Sequence, residues 1–282
     1  MALINTLINE SALNSLESVV YTFMKHPENI IRKKLITPLI TTVEKKIELL
    51  NQRGLDYTYF EKFDEKYSRI KPENFVKEIL VKKLNMKLAI AGYDYRFGYK
   101  GEGDINLLKN LGKKLGFKVI VIPPVKLEDE IVSSTNIRKH IKKGDMHRVF
   151  LLLGRHYSIK GQVERGKEIG RTLGFPTANI STKNYLVFPR KGVYISKVKI
   201  EDNIFFSITN VGDNPTFGSN NNISIETFIM DFNKDIYGKD IEVFLIEKIR
   251  NEKKFSTVEE LIIEMKKDLL KARNYFRSEC CT

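Results

Sequence analysis

The stretch that decides the fold of the C-terminal half is Gly192-Val-Tyr-Ile-Ser-Lys-Val-Lys-Ile-Glu-Asp-Asn-Ile-Phe-Phe-Ser-Ile-Thr-Asn-Val211. Side chains alternate through Gly192–Ile200 and again through Asn203–Val211, and the polar pair Glu201–Asp202 separates the two runs. A period of two residues on either side of a short polar turn is typical of a β-hairpin. This half of the chain is therefore predicted to be built from antiparallel strands.

Further strands and a closing helix complete the C-terminal half. Strands are predicted over Ile223–Phe232 and Asp240–Ile249. Ser256 and Glu259 have the spacing of a capping box, ahead of an amphipathic helix that runs to about Phe276. Several antiparallel strands at this spacing predict a small barrel or a sandwich.

The N-terminal half has a different pattern, in which apolar runs alternate with amphipathic helical stretches. Four runs are predicted as strands: Ser18–Phe23, Asp56–Phe60, Leu88–Gly92 and Lys118–Ile122. Helix starts are predicted at Thr41 with Glu44, at Pro72, at Asp104, and at Ser133 or Ser134. This alternation predicts an α/β domain with a parallel sheet and crossover helices, which binds ligands at the carboxyl ends of its strands.

The opening of the chain departs from a complete doubly wound sheet. It begins with a helix-like stretch, Leu3–Asn14, and no strand precedes that stretch. The first strand and its phosphate-binding turn are therefore expected to be missing from this sheet. We predict two domains, residues 1–150 and 151–282, joined by a short connection near Leu151–Arg155.

Composition narrows the class of protein. The 282 residues include 42% hydrophobic residues, enough for a real core, and no apolar run long enough to span a bilayer. No signal peptide is evident, and the cysteines, Cys280 and Cys281, form neither a disulfide framework nor a zinc site. A cytoplasmic protein without membrane contact is expected.

The formal charge of +13 leaves three classes of partner open, which are nucleic acid, a membrane surface and a phosphate-rich small molecule. The lysines are scattered and often lie beside glutamates, as in Thr42–Leu50 and Glu247–Lys254. A general compositional bias explains that pattern better than a nucleic-acid interface does. We therefore expect no nucleic-acid partner.

A glycine-rich segment nearly matches a phosphate-binding loop. Gly161-Gln-Val-Glu-Arg-Gly-Lys-Glu168 has the spacing of G-x-x-x-x-G-K-[ST], but Glu168 stands where a hydroxyl is needed. The glycines and proline that follow also prevent the required helix. A flexible loop with Lys167 and Arg171 could still fold over a polyphosphate, and an ordinary hairpin loop is the alternative.

The sequence that follows resolves this choice. Gly170-Arg-Thr-Leu-Gly-Phe-Pro-Thr-Ala-Asn179 resembles the signature of riboflavin kinases, which transfer the terminal phosphate of ATP to the ribityl 5′-hydroxyl of riboflavin. Similar blocks follow in that family's order, at Gly192–Tyr194, Asn210–Phe217, Ile225–Phe232 and Asp235–Gly238. The resemblance covers roughly residues 154–273. It implies an antiparallel Greek-key β-barrel with a C-terminal helix.

The resemblance also implies the roles of individual residues. Thr177 and Asn179, two residues apart on one strand face, are expected to hold Mg²⁺ and the bound ATP. Glu226 occupies the position of the family's catalytic base. An outward-facing, solvated side chain is the alternative for a lone glutamate in a strand.

The remaining candidate contacts follow from residue type and position. Lys167, Gly170 and Arg171, in the glycine-rich loop, are expected to bind ATP. Arg250 is expected to contact the flavin or a phosphate, and Phe175 and Phe217 are expected to pack on the isoalloxazine ring of the flavin. An ion pair with Glu252 is the alternative for Arg250, and core packing is the alternative for the two phenylalanines.

The N-terminal half resembles the FMN adenylyltransferase (FAD synthetase) module that precedes this kinase in bacteria. The similar blocks are Val20–Pro27, Gly92–Gly98 and Ser133–Arg138. They make His26, Asp94, Ser133, Ser134, Thr135 and Arg138 candidate site residues. Hydroxyls at a helix N-terminus, with Arg138 one turn further, would suit a triphosphate, and simple capping is the alternative.

One departure from that module has a chemical consequence. The family's adenylyl transfer depends on an N-terminal G-x-F-D-G-x-H-x-G-H element, whose histidines stabilise charge on the α-phosphate. The four histidines of this sequence are His26, His140, His147 and His156, and no H-x-G-H occurs. We therefore expect riboflavin kinase activity, with FAD synthesis absent or weak. A non-catalytic flavin-binding module and a nucleic-acid-binding protein remain as alternatives.

Overall fold

The computed structural model describes residues 2–32, 37–166, 170, 173–182, 185–213 and 223–280. The chain divides into two compact units, Met1–Val132 and Ser133–Thr282. The division into domains at residues 150 and 151 stays a prediction. The second unit includes two helices that precede residue 154, because the later of them packs on barrel strands of this unit.

The first unit alternates helices and short strands. Its helices are α1 (Ala2–Leu13), α2 (Pro27–Ile31), α3 (Val43–Asn51), α4 (Glu65–Ser68), α5 (Pro72–Asn74) and α6 (Ile105–Leu115), with a π-helix over Phe75–Lys83 and a 3₁₀ turn over Tyr99–Gly101. Its strands are β1 (Val19–Phe23), β2 (Tyr57–Glu61), β3 (Leu88–Gly92), β4 (Lys118–Ile122), β5 (Lys126–Leu127) and β6 (Glu130–Ile131).

The four longer strands of the first unit form two separate parallel pairs. β1 pairs with β2 and β3 pairs with β4, while β5 and β6 form a small antiparallel ladder. Among the described residues of this unit, no strand joins the two pairs. The predicted α/β domain with parallel strands and crossover helices is confirmed, although its four longer strands form two pairs where one sheet was expected.

One apolar core serves both strand pairs. It contains Phe75, Val76, Leu80, Ala89, Ala91, Phe97, Leu108 and Phe117. Tyr21 on β1 reaches this core, because its ring centroid lies 5.9 Å from that of Phe75. Ala89 and Ala91 on β3 belong to the same core. The two pairs are therefore held together by side-chain packing.

A polar contact between buried Ser18 and exposed Asp56 joins the beginnings of β1 and β2. The Ser18 amide and hydroxyl donate to Asp56 Oδ2 at 2.8 and 2.7 Å, and the Asp56 amide donates to Ser18 Oγ at 3.0 Å. These bonds to the carboxylate hold the pKa of Asp56 below its ordinary value, the backbone bond contributing most. Ser18 and Asp56 together fix where the parallel pairing begins.

Helix caps agree with most of the sequence signals and correct one. Asp104 and Ser133 accept hydrogen bonds from amides three residues further along, as predicted. At α3, however, Thr42 is the cap, since its hydroxyl accepts from the amide of Lys45 at 3.2 Å. The cap therefore lies one residue later than the predicted Thr41, and Lys45 stands at the position where a capping box would need Glu or Gln.

Within the residues that the structure describes, the second unit contains a closed barrel and three helices of eight residues or more. The helices are α7 (Ser134–Lys143), α8 (Met146–Leu153) and α9 (Val258–Cys280). The strands are β7 (Tyr157–Glu164), β8 (Thr177–Ser181), β9 (Gly192–Ile200), β10 (Asn203–Asp213), β11 (Ile223–Ile229) and β12 (Asp240–Arg250). Around the barrel they are ordered β10-β11-β8-β7-β12-β9, and every pairing is antiparallel. The barrel with a C-terminal helix is confirmed.

The predicted hairpin is formed by β9 and β10, with the turn at Glu201–Asp202.

The first residues of the glycine-rich segment that begins at Gly161 lie in strand β7, and not in a loop. Gly161 lies in that strand, and a Cβ atom there would stand 2.0 Å from the carbonyl oxygen of Ser181 on β8. The glycine is therefore required by close strand packing rather than by phosphate binding.

Alternate residues of the barrel strands separate an interior from an outer wall. Ser196, Ser207, Thr209 and Thr227 are fully buried and joined by hydroxyl hydrogen bonds of 2.7 to 2.9 Å. On the outer wall, Ile195 and Ile246 pack with Ala272 and Phe276 of α9. α9 thus covers one side of the barrel, and the candidate site lies under that cover.

The cap of α9 lies one residue later than predicted. The amide of Glu260 donates to Thr257 Oγ1 at 3.2 Å, so Thr257 caps the helix in place of Ser256. The Glu260 carboxylate accepts from the amide of Ser256, the residue before the cap, at 3.0 Å, so the predicted pairing of Ser256 with Glu259 is not formed.

Candidate active site on the barrel wall

A row of polar residues crosses three neighbouring strands. Glu226 on β11 is the direct register partner of Asn210 on β10 and of Asn179 on β8. Two register pairs further along, and so on the same face, Phe228 lies opposite Thr177. Directly opposed residues of antiparallel strands point to the same face, with Cβ atoms about 5 Å apart. The fold therefore brings Glu226, Asn179 and Thr177 together on one face.

That face is the outer wall of the barrel. Along β11 the side chains of Ile225, Thr227 and Ile229 are buried, at 1%, 0% and 6% exposure, whereas Glu226 and Phe228 alternate with them and are half-buried. Glu226 thus points away from the barrel interior, but it does not point into open solvent. It lines a pocket formed between the wall, α9 and the segment that follows β12.

The pocket has a volume of about 320 Å³. Its lining residues are Gly170, Leu173, Phe175, Thr177, Val193, Ile208, Asn210, Glu226, Phe228, Arg250, Glu252, Lys253, Phe255, Leu261, Met265, Asp268 and Leu269. Aromatic and aliphatic side chains predominate, and a few polar groups accompany them. Such a composition is typical of a small-molecule site that binds a flat apolar group and orients it by a few hydrogen bonds.

Two phenylalanines form part of the apolar wall. The rings of Phe175 and Phe228 meet edge to face, with centroids 5.4 Å apart and an interplanar angle of 62°. Phe175 is 9% exposed, so that it belongs to the core and to the pocket wall at once. The two alternatives for Phe175, core packing and pocket lining, are therefore compatible.

The segment before β8 packs closely on Asn179. A Cβ atom on Gly166 would lie 2.1 Å from Asn179 Nδ2, so only a glycine leaves the carboxamide in its present place. The amide of Phe175 donates to the carbonyl oxygen of Gly170 at 2.8 Å, and this bond closes the turn that leads into β8. Gly170 lines the pocket beside Thr177, and Asn179 lies two residues further along the strand.

Arg250 lies in the pocket wall with a partner that the sequence did not indicate. The predicted alternative was an ion pair with Glu252, but the guanidinium binds Asp268 on α9, with Nη2 and Oδ2 2.9 Å apart. The register of β12 against β9 shifts between Lys248 and Arg250. A bulge of this kind re-aims the side chains that follow it, here toward the helix.

A second cation, two residues earlier on β12, has a perturbed pKa. Burial, assisted by the nearby charge of Arg190, lowers the pKa of Lys248 below its ordinary value. Its ammonium group donates to Asn251 Oδ1 at 2.8 Å. This contact anchors the segment after β12, which forms one side of the pocket.

Three of the predicted site residues, Lys167, Arg171 and Phe217, lie outside the described residues. Their assignments to ATP and flavin stay predictions. Thr177, Asn179 and Glu226 are brought together, and Gly170, Phe175 and Arg250 line the adjoining pocket.

Two candidate residues of the adenylyltransferase-like half lie near the carboxyl ends of parallel strands. His26 follows β1 and occupies the N-cap position of α2. Asp94 is exposed in the turn after β3, and its Oδ1 would lie 3.1 Å from a Cβ placed on Gly92. These are the strand ends at which α/β sheets bind ligands, as the sequence predicted.

The other four candidates of that half belong to the second unit, at the start of α7. Ser133 caps the helix, because its hydroxyl accepts from the amide of Asn136 at 3.2 Å. Ser134 and Thr135 form the first turn, and Arg138 follows one turn later. The capping alternative therefore holds for Ser133, and the triphosphate assignment of all four residues stays a prediction.

Sequence reasoning missed several polar residues of the pocket. Asn210 lies within a block that carried the family resemblance, and its strand register with Glu226 would have identified it. Asp268 had a signal of another kind. It is an acid among the apolar helix positions Leu261, Met265, Leu269, Ala272 and Phe276.

Comparison with known domain families places both halves of the chain in flavin metabolism. The FAD synthetase family model matches residues 1–136, and the riboflavin kinase family model matches residues 153–276. These matches, together with the barrel and its pocket, assign the chain to the class of flavin kinases and adenylyltransferases. The chain belongs to the bifunctional riboflavin kinase/FMN adenylyltransferase family.

Individual relatives support this membership. The bifunctional riboflavin kinase/FMN adenylyltransferase of Buchnera aphidicola subsp. Acyrthosiphon pisum is 38% identical, over 93% of this chain and 84% of the relative. The enzyme of the same name from Escherichia coli K12 is 32% identical, over 98% and 88%. A solved structure from Streptococcus pneumoniae, described as a macrolide-efflux protein, has a TM-score of 0.86 at 30% identity and covers 97% of this chain and 88% of its own.

One finding from the comparisons and one from the structure bear on the expectations about FAD synthesis and about the membrane. The match of the FAD synthetase model to residues 1–136 does not support the expectation that FAD synthesis is absent or weak. Within the part of the chain that the structure describes, no helix is both long and apolar enough to cross a membrane.

Proposed function

We propose that the barrel unit phosphorylates riboflavin at the ribityl 5′-hydroxyl, with ATP as the phosphate donor. The observation that carries this proposal is the adjacency of Glu226, Asn179 and the Thr177–Phe228 pair beside an apolar pocket. A non-catalytic flavin module would have no need of a carboxylate beside two oxygen ligands. The riboflavin kinase family model over residues 153–276 adds support.

In this proposal the flavin ring lies against the apolar wall and the ribityl chain reaches toward Glu226. The 5′-hydroxyl oxygen attacks the γ-phosphorus of ATP, and the Glu226 carboxylate accepts the hydroxyl proton as it does so. The bond between that phosphorus and the β,γ-bridging oxygen breaks, and ADP and FMN are the products. Phe175 and Phe228 supply the planar apolar contact, and Arg250 supplies hydrogen-bond donors at the pocket wall.

The residues beside Glu226 fit a magnesium ion. Thr177 and Asn179 offer hydroxyl and carboxamide oxygens, which are hard ligands of the kind that Mg²⁺ prefers. The absence of a side chain at Gly166 leaves the Asn179 carboxamide room to act, since a Cβ would stand 2.1 Å from its Nδ2. When bound with ATP, the ion would neutralise charge on the phosphates. The described residues contain no cluster of three or more His, Cys, Asp or Glu side chains that could hold a metal, so a magnesium ion here would depend on the phosphates and water for its other ligands.

The assay that tests this function is FMN formation from riboflavin, ATP and MgCl₂, separated by chromatography and detected by flavin fluorescence. FMN that appears with ADP in equal amounts supports the proposal. Riboflavin that binds without being converted would instead favour the non-catalytic flavin module. A thermal-shift series with riboflavin, FMN, ATP and an oligonucleotide compares these ligands with the nucleic-acid alternative, which the structure leaves untested.

The FAD synthetase match favours a second function, transfer of the adenylyl group of ATP to FMN. The sequence contains no H-x-G-H, and we propose that this polypeptide forms FAD slowly for that reason. A cytoplasmic location is proposed on the same sequence grounds as before, since two adjacent cysteines make no disulfide framework.

A further inference from the structure

The Arg250 guanidinium is fixed by a buried carboxylate on the closing helix. Its Nε donates to Asp268 Oδ1 and Oδ2 at 3.2 and 2.9 Å, and Nη2 lies 2.9 Å from Oδ2. Its Nη1 donates to the carbonyl oxygen of Asn251 at 3.2 Å. All three nitrogens of the guanidinium are engaged, so the planar group has little rotational freedom. Two of the nitrogens contact Asp268 on α9, and the third contacts Asn251, the residue that follows β12.

Asp268 lies on the face of α9 that packs against the barrel, where an apolar residue would be expected if packing were the only role of that face. It is 3% exposed and is flanked by Leu261, Met265 and Leu269, which also line the pocket. A buried ion pair is often no more stabilising than apolar residues of similar volume, since both charges lose their hydration. Packing alone therefore does not account for an acid at this position.

The pair also determines what Arg250 can offer a ligand. The Asp268 carboxylate offsets the charge of the guanidinium, so that Arg250 acts less as a free cation than as a rigid, oriented set of donors. Its position is completed by Phe255, whose ring centroid lies 5.8 Å from the guanidinium carbon. Oriented donors of this kind suit the carbonyl and ring-nitrogen acceptors of a flavin.

We propose that Asp268 is a positioning residue, which holds Arg250 in the orientation that binds the flavin and so couples the docking of α9 to substrate binding. This inference rests on the proposed function. The contact that it concerns is the one between the Asp268 carboxylate and the Arg250 guanidinium at the pocket wall. Glu264, one turn earlier on α9, lies 3.9 Å from the same Nε and makes no comparable two-oxygen contact.

The test is a double-mutant cycle on riboflavin binding, read by quenching of flavin fluorescence, with kinase kinetics measured in parallel. We expect Asp268→Asn to raise the riboflavin Kd and KM by about tenfold, with kcat changed by less than about threefold, because residues in direct contact couple strongly. In an Arg250→Ala background the same substitution should change Kd by less than about twofold. An equal effect in both backgrounds would overturn the inference.

Controls separate positioning from helix docking. Glu264→Gln removes a charge beside Arg250 but keeps the Asp268 contact, and Asp231→Asn removes a different contact of α9, the 3.2 Å pair between Asp231 and Arg273. Both should leave the riboflavin Kd nearly unchanged. A Kd raised as strongly by Asp231→Asn as by Asp268→Asn would assign the effect to docking and overturn the inference.

A second variant covers the case in which Asp268→Asn does not fold. Arg250→Met combined with Asp268→Leu replaces the ion pair by apolar side chains, and it should keep the stability of the barrel. We expect this variant to unfold at a temperature close to wild type and to bind riboflavin about tenfold more weakly. Unchanged riboflavin affinity would overturn the inference. If wild-type protein bound or converted no riboflavin, the proposed function would fail first, independently of every variant.

Discussion

Glu226 and Asn179 face each other directly across the β11–β8 pair, on the outer wall of the barrel. They share a face because directly opposed residues of antiparallel strands point the same way. The two strands are more than forty residues apart in the chain. Barrel closure is thus what forms the site, and the predictions below test the site through single substitutions.

The first prediction concerns the carboxylate. Glu226→Gln preserves shape and hydrogen bonding but removes the base, so that kcat for FMN formation should fall by about 10²–10⁴-fold. Riboflavin KM should change little. Glu247→Gln, at an exposed position on β12, is the matched control and should retain full activity. Near-normal turnover by the Glu226 variant would show that the assignment is wrong.

The second prediction concerns Thr177. Thr177→Ala removes the hydroxyl expected to contact the metal-bound nucleotide, so the KM for Mg-ATP should rise by about one order of magnitude. The KM for riboflavin should rise less, and Thr177→Ser should restore most of the loss. Ser181→Ala, on the same strand face and exposed, serves as the control. Equal losses for both substrates would argue against a role toward the metal.

The third prediction uses two glycines of the same segment. Gly166→Ala places a Cβ 2.1 Å from Asn179 Nδ2, and the Mg²⁺ concentration for half-maximal activity should rise by about tenfold as the carboxamide moves. Gly161→Ala meets the Ser181 carbonyl at 2.0 Å instead, and should lower the unfolding temperature of the barrel unit. A magnesium requirement shifted alike by both substitutions would count against Asn179 as a ligand.

The fourth prediction concerns FAD. Incubated with FMN, ATP and Mg²⁺, this polypeptide should form FAD slowly, because loss of one electrostatic stabiliser costs about 10²–10³-fold in rate. The measurement is FAD and pyrophosphate formation against the kinase rate of the same preparation. Brisk FAD formation would mean that residues other than an H-x-G-H pair supply the stabilisation, in agreement with the family match to residues 1–136.

The fifth prediction concerns acid stability of the first unit. The pKa of Asp56 is held below its ordinary value of 3.8, so its contribution to folding is complete above that pH and is lost as pH falls through the lower, folded-state value. The protection factors of the β1 and β2 amides, which compare each exchange rate with the intrinsic rate at the same pH, should therefore fall in acid, and Asp56→Ala should abolish this fall while lowering protection at neutral pH. Identical pH profiles for the two proteins would contradict the role of the Ser18 contact.

The sequence located elements better than their exact ends. The tetrapeptides at residues 41–44 and 256–259 share the letters T-V-E after a leading hydroxyl residue, and both were predicted to begin with the cap. In both, the second hydroxyl, Thr42 or Thr257, accepts the bond instead. Either of two adjacent hydroxyl residues can cap a helix, so the presence of a hydroxyl did not fix which residue accepts the bond.

Polar residues that act through partners distant in the chain were the least predictable. Glu226 could be inferred because it interrupts an apolar strand, but the Arg250–Asp268 pair joins the end of β12 to the middle of α9. The sequence around Arg250 gives no indication that its partner is Asp268, and the sequence around Asp268 gives none for Arg250. In contrast, the strand alternation of Gly192–Val211 was sufficient to predict the hairpin, since that pattern depends on neighbours alone.

The alternation along β11 has a consequence for how this protein can vary. Its odd-numbered residues, Ile225, Thr227 and Ile229, face the barrel interior, and its even-numbered residues, Glu226 and Phe228, face the pocket. Selection for thermal tolerance and selection for a new substrate can therefore act on one short peptide without competing for the same positions. A library randomised only at the even positions should retain soluble, folded members while it explores altered chemistry.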